Sequence, residues 1–287
     1  THINVEFDEP LLSSEKRNWL DNLVEKDLIK ADLTTELFEV PSGRGVVIVG
    51  HDGVDVQEFI ETLGVPVIAE NPLSYPDAIA HASLFSGNLE IDWAVVIGRT
   101  TLSRSINALV NSARKVIVID PRMATVDSDR AAAQKFTRIP DIDVATPDAD
   151  YAEKLQKYSQ RAQKLISGLS DWSEALVARE IAGAIPAGTS LFISSSRPIR
   201  DIEGFAEPRT GVETFANRGL AGIDGNISTA LGIASQRSST IAVLGDLGFL
   251  HDLTGLIHKE DINLRIFVVD NNGGGIFSTL SQRGVEG

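Results

Sequence analysis

No cysteine occurs among the 287 residues, which excludes a disulfide framework, a thiol nucleophile and a thiolate metal site together. Basic residues are scarce as well: 26 Lys and Arg stand against 40 Asp and Glu, giving a net charge of −14. Sequence-independent binding to nucleic acid needs cationic surface that displaces counterions from phosphates, so this balance argues against it. No apolar run approaches the roughly 20 residues needed to span a bilayer, and no signal peptide is visible. The G-x-G-x-x-G dinucleotide fingerprint is missing too; "VGHDGVD" offers Gly50 and Gly53 without the right spacing. No internal repeat or low-complexity run appears. These absences predict a cytoplasmic protein with no nucleic-acid partner and no membrane span.

What is present is an alternation of strand and helix signals. "GVVIVG" (45–50), "VPVIAE" (65–70), "WAVVIG" (93–98) and "KVIVID" (115–120) are short, nearly continuous apolar runs, suited to parallel strands covered on both faces. Between them, "VDVQEFIETLG" and "TLSRSINALVNSA" carry apolar residues at helical spacing. The pattern predicts a doubly wound domain over residues 30–169, its last part a long bridging helix from Asp150 to Leu169. This domain reads as scaffold. A second domain is expected over 170–287, opening with the helix "WSEALVAREIAGAI", then strand "SLFISSS", a loop "RPIRDIEGF" and the helix "NISTALGIA". The fold class is therefore α/β, with two doubly wound parallel-sheet domains. Residues 1–29 read as an exit from a preceding domain and a linker helix. The start at Thr1 and the close on "SQRGVEG" together suggest a piece of a longer polypeptide.

Two stretches of the second domain carry chemistry. Strand-like "TIAVLG" stops at Gly245-Asp246, and strand-like "LRIFVVD" stops at Asn271-Asn272-Gly273. Asp246 and Asn271 stand 25 positions apart, enough for one helix between parallel neighbouring strands. Both then fall at the carboxyl edge of the sheet, where ligands of open α/β sheets bind. A carboxylate, an amide oxygen and a nearby backbone carbonyl form an oxygen-only set for a hard cation such as Mg²⁺, and the adjoining glycine-rich amides suit a diphosphate.

"NRGLAGIDGNISTALGIA" (217–234), "GDLGFLHDLTGL" (245–256) and "NNGGGIFS" (271–278), in this order and spacing, resemble the thiamine diphosphate-dependent enzymes. Among these they are similar to the 2-succinyl-5-enolpyruvyl-6-hydroxy-3-cyclohexene-1-carboxylate synthases of menaquinone biosynthesis. "HINVEFDEPL" (2–11) resembles that family's exit from its pyrimidine-binding domain. The resemblance is specific over about 190–280 and general over 30–150. It implies that the chain covers the middle domain and most of the diphosphate-binding domain.

It further implies a thiamine diphosphate cofactor with Mg²⁺ (or Mn²⁺), the cation held by the Asp246 carboxylate, the Asn271 side-chain oxygen and the Gly273 carbonyl. Ile223 would be the apolar wedge that bends the cofactor. Ser196, Gly245, Leu247, Ile276 and Phe277 would complete its site. Leu247 departs from the glycine that most such enzymes carry there but agrees with this subgroup. Arg200 and Arg218 would bind the dianionic substrates 2-oxoglutarate and isochorismate. The implied reaction is decarboxylation of 2-oxoglutarate and 1,4-addition of the succinyl carbanion equivalent to isochorismate. The full-length enzyme would be a homodimer or tetramer, with the activating glutamate supplied by a pyrimidine-binding domain of a partner subunit. No catalytic residue is assigned here, and the chain alone is expected to be inactive.

Blander alternatives exist for each residue. Asp246 could cap a helix, Asn271 could shape a turn, Ile223 could be plain core, and Arg200 and Arg218 could be solvated. His251 with Asp252 looks like a catalytic pair but suits a structural role better. At the level of function, an acetolactate synthase-type enzyme shares the cation motif. A non-catalytic module binding an anionic effector through Arg99 and Arg122 is the other alternative.

Overall fold

The computed structural model describes residues 36–51, 56–121, 132–143, 148–218, 222–257 and 261–279. The expected exit over 1–29, Arg122, and the closing "SQRGVEG" lie outside them. In chain order the strands are β1 (Leu37–Phe38), β2 (Gly45–Val49), β3 (Val67–Ala69), β4 (Trp93–Ile97), β5 (Lys115–Ile119), β6 (Ala132–Phe136), β7 (Asp141–Ile142), β8 (Thr189–Ile193), β9 (Val212–Phe215), β10 (Thr240–Gly245) and β11 (Leu264–Val269). The α-helices are α1 (Gln57–Leu63), α2 (Ala82–Phe85), α3 (Arg104–Ser112), α4 (Ala149–Ser167), α5 (Glu174–Ala184), α6 (Arg197–Phe205), α7 (Asn226–Ala234) and α8 (Asp246–His251).

Every strand pairing is parallel. One sheet runs β3-β2-β4-β5-β6 and a second runs β11-β10-β8-β9; β1 and β7 form a separate two-stranded pair. This is the α/β, parallel-sheet architecture expected, and both sheets lie in the compact unit Thr35–Gly287. In each sheet the strand order reverses once, between β2 and β4 in the first and between β8 and β10 in the second. Such a reversal opens a crevice at the carboxyl ends of the strands.

The apolar runs explain the layering. In the first sheet Val47, Val49, Val95, Ile97, Ile117 and Ile119 pack on one face against Phe38, Phe59 and Leu63. Their sequence neighbours Val46, Ile48, Ala94, Val96, Val116 and Val118 pack on the other against Ile106, Leu109, Tyr151 and Leu155. The second sheet repeats the plan, with Leu191, Ile193 and Val243 against α5 and α6, and Phe192, Ala242 and Leu244 against α7. Side chains alternate along a strand, so only runs apolar at every position can be covered on both faces. Helix starts are capped as their sequences allow: Ser103, Asp148 and Ser173 accept from the backbone amides of Ile106, Tyr151 and Leu176.

Two expectations are corrected. "RPIRDIEGF" is helix α6 and not a loop. Pro198 sits in its first turn, where a missing N–H costs nothing, and Ile199 and Ile202 face the core. Among the described residues, the stretch between β10 and β11 holds the short helix α8 and the 3₁₀ turn Leu253–Leu256 in place of one longer helix.

Candidate functional site

The carboxyl edge of the second sheet carries a cavity of about 190 Å³ at its reversal point. Ser194–Ser196 reach it from the end of β8, Gly245–Gly248 from the end of β10, and Asn271 from the end of β11. Gly222, Ile223 and Asn226, at the start of α7, form another wall, and Gly274–Phe277 close the side. Of the nine residues expected at a cofactor, Ser196, Ile223, Gly245, Asp246, Leu247, Asn271, Ile276 and Phe277 line this one space. Gly273 stands beside it: a β-carbon there would lie 4.0 Å from Asp246 Oδ2.

The register that brings Asp246 and Asn271 together follows from the pairing of β10 with β11, which ends at Gly245 opposite Val269. Gly245 holds the cap position of α8, and Asp246 is the first residue of the helix. Asp246 therefore does not act as the cap. No described residue hydrogen-bonds to its carboxylate. Asn271 does shape its turn, since Oδ1 accepts from the Gly275 amide at 3.1 Å. Its Nδ2 donates to Glu174 Oε1 at 2.9 Å. The following residues need glycine for two reasons. Gly273 and Gly274 have φ of +85° and +68°, and a β-carbon on Gly275 would fall 2.4 Å from Asn271 Nδ2.

Ser196 has φ +77° and ψ −130°, a strained backbone for a residue with a side chain. The strain turns the chain from β8 into α6 at the cavity wall. Arg200 Nη1 donates to the Ser196 carbonyl at 2.6 Å across that turn. Ile223 is 45% exposed and Phe277 64%, so Ile223 is not a core isoleucine. Asn226 is 1% exposed, and its Oδ1 has no hydrogen-bond partner among the described residues.

Arg200 and Arg218 do not line the cavity; they belong to a buried charged cluster between the carboxyl ends of the two sheets. Arg218 is almost wholly buried and ion-paired with Glu70, at the end of β3. Its Nε and Nη1 are buried without a partner among the described residues. Arg200 is disfavoured as a cation first by burial and then by Arg104, with Arg218 and Arg197 adding to it. Burial, then the neighbouring Glu70, pushes the Glu203 carboxyl well above its usual range. Neither arginine is a solvated surface residue.

His251 and Asp252 do not form a catalytic pair. Asp252 Oδ2 accepts from the backbone amides of Ile227 at 2.7 Å and Ser228 at 3.0 Å, which caps α7 from outside. The residue preceding α7 is Gly225, which has no side chain to do so. Neither this cap nor the role of His81 is legible from residue spacing. That buried ring meets the Gly204 carbonyl through Nδ1 at 2.8 Å and Glu207 through Nε2 at 3.2 Å, tying α2 to α6. Among the described residues no three His, Asp or Glu side chains cluster as a metal centre, and no helix is long and apolar enough to cross a membrane.

Two parallel α/β sheets, with a glycine-lined, oxygen-bearing crevice at the reversal point of the second, make up the architecture of the middle and diphosphate-binding parts of thiamine diphosphate enzymes. No protein-family model matches the chain. Curated proteins do match it over nearly its whole length, and those cited here carry the name 2-succinyl-5-enolpyruvyl-6-hydroxy-3-cyclohexene-1-carboxylate synthase. The protein of that name from Thermobifida fusca strain YX is 33% identical over 99% of the chain and 57% of its own length. The one from Saccharopolyspora erythraea is 31% identical over 98% and 55%, and that of Lysinibacillus sphaericus strain C3-41 is 33% identical over 99% and 57%. The chain is thus a partial match to these synthases, spanning a little over half of their length, and the resemblance carried by its motifs is borne out.

Proposed function

We propose that these residues form the cofactor-holding part of a thiamine diphosphate-dependent synthase of menaquinone biosynthesis, a transferase that decarboxylates 2-oxoglutarate and joins the succinyl unit to isochorismate. The observation that carries the reading is the crevice at the reversal point between β8 and β10, where eight of the nine expected cofactor residues converge. Asp246, Asn271 and the Gly273 carbonyl would hold Mg²⁺ or Mn²⁺. They offer only hard oxygen donors, and the Asp246 carboxylate has no described protein partner to give up. The residues present fit the group. Ile223, Leu247, Ile276 and Phe277 would give the cofactor's rings an apolar wall, and Ser196 would bind at its edge. When bound, thiamine diphosphate supplies the electron sink that decarboxylation of a 2-oxoacid requires.

Arg200 and Arg218 would receive the substrate carboxylates. Buried guanidinium donors lacking acceptors are costly, and an arriving carboxylate would satisfy them through a planar fork. The like charges crowded around Arg200 favour an anion in the same place. The domain division at 30–169 and 170–287 belongs to this reading, as do assembly into a homodimer or tetramer and a location in the cytoplasm.

The test is CO₂ release by the intact polypeptide that carries this sequence. The expected result is turnover of 2-oxoglutarate that requires thiamine diphosphate, a divalent cation and isochorismate. Turnover of pyruvate in place of 2-oxoglutarate would instead select the acetolactate synthase-type alternative.

A further inference from the structure

An amide side chain offers a cation two chemically opposite ends, and a ligand asparagine works only with its oxygen forward. In Asn271 both ends are fixed by groups whose own roles are not in doubt. The Gly275 amide can only donate, and it meets Oδ1 at 3.1 Å. An ionised carboxylate can only accept, and Glu174 Oε1 meets Nδ2 at 2.9 Å. The pairing spans 97 positions of sequence and brings the first residue of α5 to the loop after β11.

Glu174 is itself held. Its Oε2 pairs with Arg197 Nη2 at 3.1 Å, and the same Nη2 meets Asp201 Oδ1 at 2.9 Å. Arg197 directly follows the strained Ser196, so the chain Asn271–Glu174–Arg197–Asp201 joins α5, α6 and the β11 loop. These four residues line a second, smaller cavity of about 20 Å³ that shares Gly245, Arg197, Pro198 and Asn271 with the larger one. Glu174 also opens an 11-residue helix, whose N-terminal dipole favours its negative charge.

We propose that Glu174 is a positioning residue for Asn271. It captures the amino end of the amide so that the oxygen is presented to the cation, and Arg197 with Asp201 keeps Glu174 in place. The inference rests on the reading of Asn271 as a cation ligand, and it follows the general rule that the partners of a metal ligand set its orientation.

The test uses the intact polypeptide and Mn²⁺ with thiamine diphosphate, read by calorimetry and by electron paramagnetic resonance, with melting temperature measured metal-free. Glu174→Ala is expected to weaken Mn²⁺ binding about tenfold or more. Asn271→Asp sets two carboxylates against each other. It should lower the metal-free melting temperature and weaken Mn²⁺ binding, although a carboxylate is the better cation ligand. Adding Glu174→Gln restores a donor toward residue 271 and should recover both readouts, so the account stands or falls even if Glu174→Ala folds poorly. Unchanged Mn²⁺ affinity in Glu174→Ala, or no recovery in the double variant, overturns the inference while Asp246-dependent binding leaves the functional reading standing. A wild type that takes no Mn²⁺ with the cofactor, or an Asp246→Ala variant that binds normally, overturns both.

Discussion

The two sheets follow one plan and end differently. In the first, the reversal point between β2 and β4 is shut by backbone. His51 and Arg99 form an antiparallel bridge across it, and a β-carbon on Gly50 would lie 1.5 Å from the Arg99 carbonyl oxygen. In the second, the equivalent mouth between β8 and β10 stays open. A β-carbon on Gly245 would meet nothing within 4 Å, and the turn at Ser196 bends away to leave the crevice. The same parallel plan with opposite edges shows that the site is a property of the loops at the strand ends, which the shared fold merely presents.

Substituting the paired glycines breaks this comparison most sharply. Gly50→Ala should cost about 3 kcal/mol or more, because the new atom strikes backbone that cannot move aside. Gly245→Ala should stay within about 0.5 kcal/mol. Urea unfolding of both variants checks the contrast. Next in size is the isoleucine pair. Ile48, fully buried in the first sheet, should lose about 2–5 kcal/mol on replacement by Ala. Ile223→Ala should leave stability nearly unchanged and weaken cofactor binding, which separates a wall residue from a core residue by melting and titration on the same samples.

Much of this is legible in the sequence. Four of the five first-sheet strands fall inside the four apolar runs, and the Gly-Asp and Asn-Asn turns reach one crevice, because continuous apolar runs and strand-end breakers are local signals. What was missed is non-local or weakly patterned. Strand β6, "AAQKF", is polar at its centre and covered on only part of its length, and β9 is four residues long. Helix α6 was hidden by Pro198 and Gly204, both usual breakers, although Gly204 is buried and the His81 ring packs on its carbonyl. Glu174, His81 and Asp252 act through partners 24 to 126 residues away, and no spacing rule reports such pairs.

Smaller effects sharpen the second sheet further. Asp252→Ala removes the external cap of α7 and should cost about 1–2 kcal/mol in urea unfolding, with no change in the first sheet's amide-exchange protection. Asp201 is pushed up to about 7, first by burial, which outweighs the opposing Arg197 guanidinium, with the neighbouring Glu174 adding to the rise. The folded protein then holds a proton between the ordinary carboxyl value of 3.8 and about pH 7 that the unfolded chain has released. Stability from this group therefore rises as pH falls from about 7 towards 4, and Asp201→Asn should remove that part of the rise. Urea midpoints at several pH values across that window measure it.

The central claim is that the open mouth of the second sheet is a cation-dependent cofactor site. Calorimetric titration of the intact polypeptide with thiamine diphosphate, with and without Mg²⁺, tests it directly when repeated on Asp246→Ala. The account predicts Mg²⁺-dependent binding that the substitution abolishes; binding that ignores both the cation and the substitution would contradict it.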